Sequence, residues 1–311
     1  MTLKNTLKNY FNSGSPDKVS KRRIAGLVIA ITAVALVAAL LVLTVSSIAS
    51  AITNKKANAA EEGAPVSIAV ETVSGSVDDI NANLNSKVTL VDIGGTTIAQ
   101  GDVKTLVQTN RTNLGTAEEP IYAYGNNYPA SDALLIEAFT AFDKMACDFY
   151  NEAGNYKIFV SKVYNVSMQV NAAYANGLTV KLHTFDGSFE NSIYEDDRYE
   201  WIYSNAANYG FVRVSNEEGN EDVFRYVGIT QAKAIGNNTT LSEYLASVRE
   251  ATAEAPKTVK SMTSKVDGAK LPEAKIYFVP YGDSYALPNP DKYTFSASNI
   301  GDGYVITCFA K

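Results

Sequence analysis

Gly177-Leu178-Thr179-Val180-Lys181-Leu182-His183 is the centre of the stretch, Gln169 to Leu245, whose reading decides the fold. Branched and apolar residues from Leu178 to Thr184 predict a strand, as they do upstream from Lys157 to Val163. Downstream, Asp196 to Tyr209 carries acids in its first turn and has Gly210 just past its end, the asymmetry that a helix dipole and a left-handed C-cap favour. Phe211–Val214 and Val223–Val227 are then short strands, and Leu241–Glu250 is helical. Before all of these, Ser131 reads as the N-cap of a helix running to about Gly154. Leu135, Ala138, Phe139, Phe142, Met145 and Phe149 fall on one face of it at three- and four-residue spacing. Short strands mixed with helices make the class α+β.

The order of these pieces, with Trp201-Ile202-Tyr203, Phe224-Arg225-Tyr226-Val227-Gly228 and Leu241-Ser242-Glu243-Tyr244-Leu245, resembles the VanY-like zinc D-alanyl-D-alanine carboxypeptidases of the membrane-anchored clostridial type. The resemblance covers roughly residues 130–311 and implies a small, mostly antiparallel sheet flanked by helices. It also implies a zinc site that trims peptidoglycan stem peptides. The family pattern Ser-x-His-x-x-Gly-x-x-x-Asp, laid on by its glycine, puts Ala172 at the serine, Tyr174 at the histidine and Lys181 at the aspartate. Glu-x-Trp-His-Phe-Arg-Tyr-Val-Gly puts Asn220 at the general base, Asp222 at the tryptophan and Val223 at the last histidine. Ser161 and Gln169 keep the ends of a third motif, whose substrate-gripping arginine falls on Tyr164. A catalytic zinc takes three protein ligands and leaves a position for water. This chain has a single histidine, His183, so a two-histidine site cannot be built from it. The resemblance therefore implies a degenerate homologue without zinc.

Ahead of this frame, residues 1–23 hold six basic residues against Asp17 alone, and Ile24 to Thr53 contains no charge. As a helix at ~1.5 Å per residue, Ile24 to Val45 would reach roughly 33 Å, enough for a bilayer core of about 30 Å. The expectation is a basic cytoplasmic segment (1–23), a single transmembrane anchor (24–53) and a linker (54–80). An exterior domain (81–255) and a β-rich extension (256–311) follow. The excess of positive charge before the anchor places the N-terminus inside. A cleaved signal peptide is the rival reading, but its apolar region would be about 7–15 residues, far shorter than this one. With +5 in the first 23 residues and −6 in the whole chain, the rest carries −11, a poor match for nucleic acid or another polyanion.

Val88–Ile93 and Thr96–Ala99 flank Gly94-Gly95 and predict a β-hairpin. In the tail, Lys275–Pro280, Tyr293–Ser296 and Tyr304–Cys308 predict strands, with a turn at Leu287-Pro288-Asn289-Pro290. Cys147 and Cys308 are a disulfide or two small core residues. The acids Asp186, Glu190, Glu195, Asp196, Asp197 and Glu200 match no calcium loop. His183 reads as a hydrogen-bonded strand residue. Arg225 and Tyr226, retained from the family pattern, read as supports of the pocket wall. Lys181 stands where a cation would have been held, and with Gln169, Arg213 or Arg225 it is a candidate to grip a peptide carboxylate.

Three functions follow. The first is a non-catalytic reader of cell-wall stem peptide or regulator of a wall enzyme. The second is an active D,D-carboxypeptidase with ligands elsewhere. The third is a structural, partner-binding exterior module.

Overall fold

A computed structural model describes residues 68–92, 100–106, 132–165, 174–185, 191–194 and 196–311. The expected membrane anchor, Gln169 and the glycines of the expected hairpin lie outside these residues. Among the described residues, no helix is long and apolar enough to cross a membrane.

Strand β1 (Thr72–Gly75) precedes a short helix, Val77–Asn81. Then β2 (Val103–Thr105) and β3 (Asp132–Leu135) lead into the long helix Ile136–Glu152. The site sheet comes from β4 (Ile158–Lys162), β6 (Thr179–Thr184), β7 (Phe211–Arg213) and β8 (Val223–Tyr226), with β5 (Tyr164–Asn165) turning off to pair with β3. After helices Ile229–Ile235 and Leu241–Val248 come β9 (Lys257–Val259), β10 (Met262–Thr263), β11 (Lys270–Leu271), β12 (Ala274–Pro280), β13 (Tyr285–Pro288), β14 (Tyr293–Asn299) and β15 (Gly303–Ala310). Two four-stranded antiparallel sheets result, ordered β4-β6-β8-β7 and β14-β15-β12-β9.

The long helix buries the apolar stripe legible in its sequence, including Phe139, Phe142, Met145 and Phe149, in one core with Leu178 and with Val180, Leu182 and Phe224 of the site sheet. Trp201 packs on this core from outside. The helix starts later than its sequence suggests. Asp132–Leu135 is claimed as a strand by pairing with β2 and β5, so Leu135 occupies the cap position without a side-chain cap.

A second cluster runs from Leu241, Tyr244 and Val248 to Ile276 and Val305, so the C-terminal strands share a core with the domain and are not an appendix. Two other expectations change. Part of the expected linker is folded, because β1 pairs with β13, and this pairing also turns the expected Pro-rich turn at Leu287–Pro288 into strand. Val88–Asp92 is not strand; Thr89 and Asp92 are instead drawn to a buried arginine described below.

The helix expected over Asp196–Tyr209 is present in three pieces: two 3-10 turns, Asp197–Tyr199 and Ala206–Tyr209, around an α-helical Glu200–Asn205. Gly210 ends it at φ 85°, and a Cβ there would lie 2.5 Å from a Tyr226 ring carbon and 3.2 Å from the Gly228 carbonyl carbon. Gly210→Ala combines left-handed strain with overpacking and is expected to lose about 2 kcal/mol of stability, read from the urea midpoint.

No disulfide joins Cys147 and Cys308, both of which are buried. Burial, first, pushes the Cys308 thiol up to about 11. Because the folded value lies above the unfolded one, this contribution to stability is complete below the ordinary thiol range and is lost as pH rises through about 11. Cys308 should therefore resist iodoacetamide at pH 8 in the native chain and react once urea unfolds it.

Candidate functional site

Residues from five separate stretches line a cleft of about 510 Å³ on the site sheet. Its floor is the strand pair β6–β8, where Lys181 faces Val223 in register. One wall is Leu90–Asp92, and the other comes from Val214 to Asn220 and from Leu241, Ser242 and Leu245. Tyr174 and Lys181 line it together with Asn220 and Val223, a pair from a later stretch of the chain. The glycine-anchored placement thus brings four positions of two motifs to one place. Lys162 also lines the cleft, at a bulge in the β4–β6 ladder opposite Lys181.

The charges in and behind the cleft are arranged in two groups. Lys181 Nζ donates to the Gly219 carbonyl at 2.7 Å and lies 3.4 Å from Asp222 Oδ1. Asp222 is 2% exposed, and its Oδ2 lies 3.4 Å from Nε2 of His183. Its Oδ1 has no hydrogen-bond partner among the described residues. Burying a carboxylate is costly without counter-charge close by, and the Lys181 ammonium lies beside it. The same carboxylate acts on two phenols. Burial first, and then the charge of Asp222, raise Tyr174 and Tyr203 above the ordinary tyrosine range.

The second group is Arg225, 4% exposed. Its two terminal nitrogens grip Asp92 as a fork, at 3.0 and 2.9 Å. Its Nε and Nη2 both donate to the Thr89 carbonyl, at 3.1 and 3.0 Å, and Nη1 reaches Thr179 Oγ1 at 3.3 Å. Arg225 therefore pins the 89–92 wall to the sheet, which fits the reading of it as a wall support. Committed in this way, it has little left for a ligand. Arg213 does not line the cleft. Its guanidinium sits 5.8 and 5.6 Å from the ring centres of Tyr194 and Tyr203, in cation–π range.

Zinc does not fit this donor set. The three ligand positions carry a phenol, an ammonium and an isopropyl group, and the lining residues include neither histidine nor cysteine. Among the described residues, no group of three or more His, Cys, Asp or Glu side chains gathers to hold a metal. The cleft offers a mixed binding surface: apolar Leu90, Leu241 and Leu245 lie beside Ser215, Ser242 and Asn220, with Lys162 and Lys181 also in its lining. Asp222 is the residue that sequence reasoning passed over. Lys181 and His183 are two apart on one strand and so project from the same face, a pattern that calls for an acid opposite.

No protein-family model matches the chain, and no curated protein matches it. Among solved structures, it is similar to the vancomycin-resistance D,D-dipeptidase VanXYg in complex with a D-Ala-D-Ala phosphinate analogue. The identity is 17% and the TM-score 0.48, over 77% of this chain and 99% of that one. It is also similar to the LD-carboxypeptidase LdcB, at 20% identity and a TM-score of 0.33, over 41% of this chain and 75% of that one.

Proposed function

We propose that the chain is a membrane-anchored exterior protein whose peptidase-like cleft binds the C-terminal end of a cell-wall stem peptide without cleaving it. The observation that carries this reading is the convergence of Tyr174, Lys181, Asn220 and Val223 on one cleft with none of them a histidine, cysteine or carboxylate, the side chains that ordinarily ligate zinc. The ligand carboxylate pairs with Lys162. Lys181 stands behind it as a cation already half-neutralised by Asp222, while Lys162 is exposed and makes no ion pair among the described residues. The charge of Lys181 keeps the turn at Gly219 and the buried Asp222 attached to the sheet.

The test is isothermal titration of the full-length chain in detergent with a stem pentapeptide ending in D-Ala-D-Ala, with free D-alanine measured in the same sample. Binding without release is expected. Amidating the peptide C-terminus, or Lys162→Ala, should weaken it at least about tenfold, ~1.4 kcal/mol. Release of D-alanine accompanied by stoichiometric zinc would establish the active carboxypeptidase instead. Absence of binding would leave the partner-binding module.

A further inference from the structure

We propose that the face carrying Trp201 is a second binding site, for a neutral polysaccharide of pyranose rings. It shares no lining residue with the peptide cleft, so either site stands or falls alone. The observation is an open depression of about 580 Å³ whose lining includes Tyr156, Trp201, Asp197, Glu200, Ser204 and Asn205.

Trp201 is only partly buried. Its ring leans on Phe149 and Tyr209, both 5.9 Å away between ring centres, and its Nε1 donates to Glu152 Oε2 at 3.0 Å. The core and one hydrogen bond thus fix the ring at the surface, where it lines the depression together with Tyr156. An aromatic ring held in that way, with apolar face and polar edge, matches the alternation of C–H face and hydroxyl rim in a pyranose.

The polar groups around the rings accept more than they donate. Arg198 lies over Tyr156 at 5.5 Å and is neutralised by a forked pair with Asp196. Asn205 is occupied, donating to the Trp201 carbonyl and accepting from Asn208. The carboxylates of Asp197 and Glu200 remain as acceptors for sugar hydroxyls, in the stronger, charge-assisted class of hydrogen bond. The same two charges, on a chain that is acidic beyond its first 23 residues, repel anionic polymers. The open form suits successive rings of a chain rather than one enclosed small molecule.

Trp201 is the only tryptophan in the sequence, so its fluorescence reports on this face alone. Full-length chain is titrated with the β-1,4-linked tetramer of N-acetylglucosamine. A saturable shift is expected, with half-saturation at or below about 1 mM. It should persist with excess stem peptide present, and polyglutamate should not reproduce it. Removing the ring itself risks the fold, so the variant is Ser204→Arg, which fills the depression and keeps the reporter. Its half-saturation should rise at least tenfold, as it should in Tyr156→Ala. A tetramer that gives no saturable shift, a shift unchanged in Ser204→Arg, or one that stem peptide abolishes would each overturn the site.

Discussion

Arg225→Ala is expected to cost about 3–5 kcal/mol of stability, the largest loss from any single substitution considered for this chain. The substitution leaves the Asp92 carboxylate, 30% exposed, without its guanidinium, and strips the Thr89 carbonyl of both donors. It also frees the wall that carries Leu90 and Asp92. Peptide binding should therefore fall together with the urea midpoint, although the arginine itself does not reach the ligand. A double variant, Arg225→Met with Asp92→Leu, removes both charges together and should recover part of the loss. A cost below about 1 kcal/mol for Arg225→Ala would mean that the pair is screened like a surface salt bridge, and the pinning of the wall would have to be abandoned.

Asp222→Asn is expected to cost about 2–4 kcal/mol, because it leaves the ammonium of Lys181, 17% exposed, and the imidazole of His183 facing a neutral amide. A second readout separates this electrostatic role from mere packing. Removing the anion makes a phenolate easier to form, so Tyr174 and Tyr203 should both ionise at lower pH than in the native chain. Ultraviolet titration of the tyrosines would record this as absorbance appearing earlier on the alkaline limb. If that limb does not move in the variant, the charge of Asp222 is not felt at the phenols.

These two substitutions also show which features were legible in the sequence. The stripe from Ala138 to Phe149, the strand over Thr179–Thr184 and the glycine stop at Gly210 announce themselves through period and turn chemistry, and they stand where they were read. Local pattern could not show which partner a short segment would take. Asp132–Leu135 continues a helical stripe in sequence but gains more from pairing between β2 and β5. Thr72–Gly75 has the small, polar neighbours of a tether, and only the distant β13 makes it a strand. Ile229–Ile235, a helix of seven residues, was passed over because it is too short for a periodic signal. At the site, four positions of the resembled pattern line one cleft, and matching Asp222 to a tryptophan hid the acid that lies beside Lys181.

The pairing of β1 with β13 also decides when the molecule can finish folding. Ser74 meets Ser284 across that ribbon, 210 positions further along the chain. At roughly 5–20 residues per second, the first strand therefore waits on the order of ten to forty seconds of synthesis for its partner. Until then its hydrogen-bonding edge and Val73 are open to any other strand, including those of neighbouring nascent copies. A chain halted before residue 285 should thus be captured by holding factors that release the completed one.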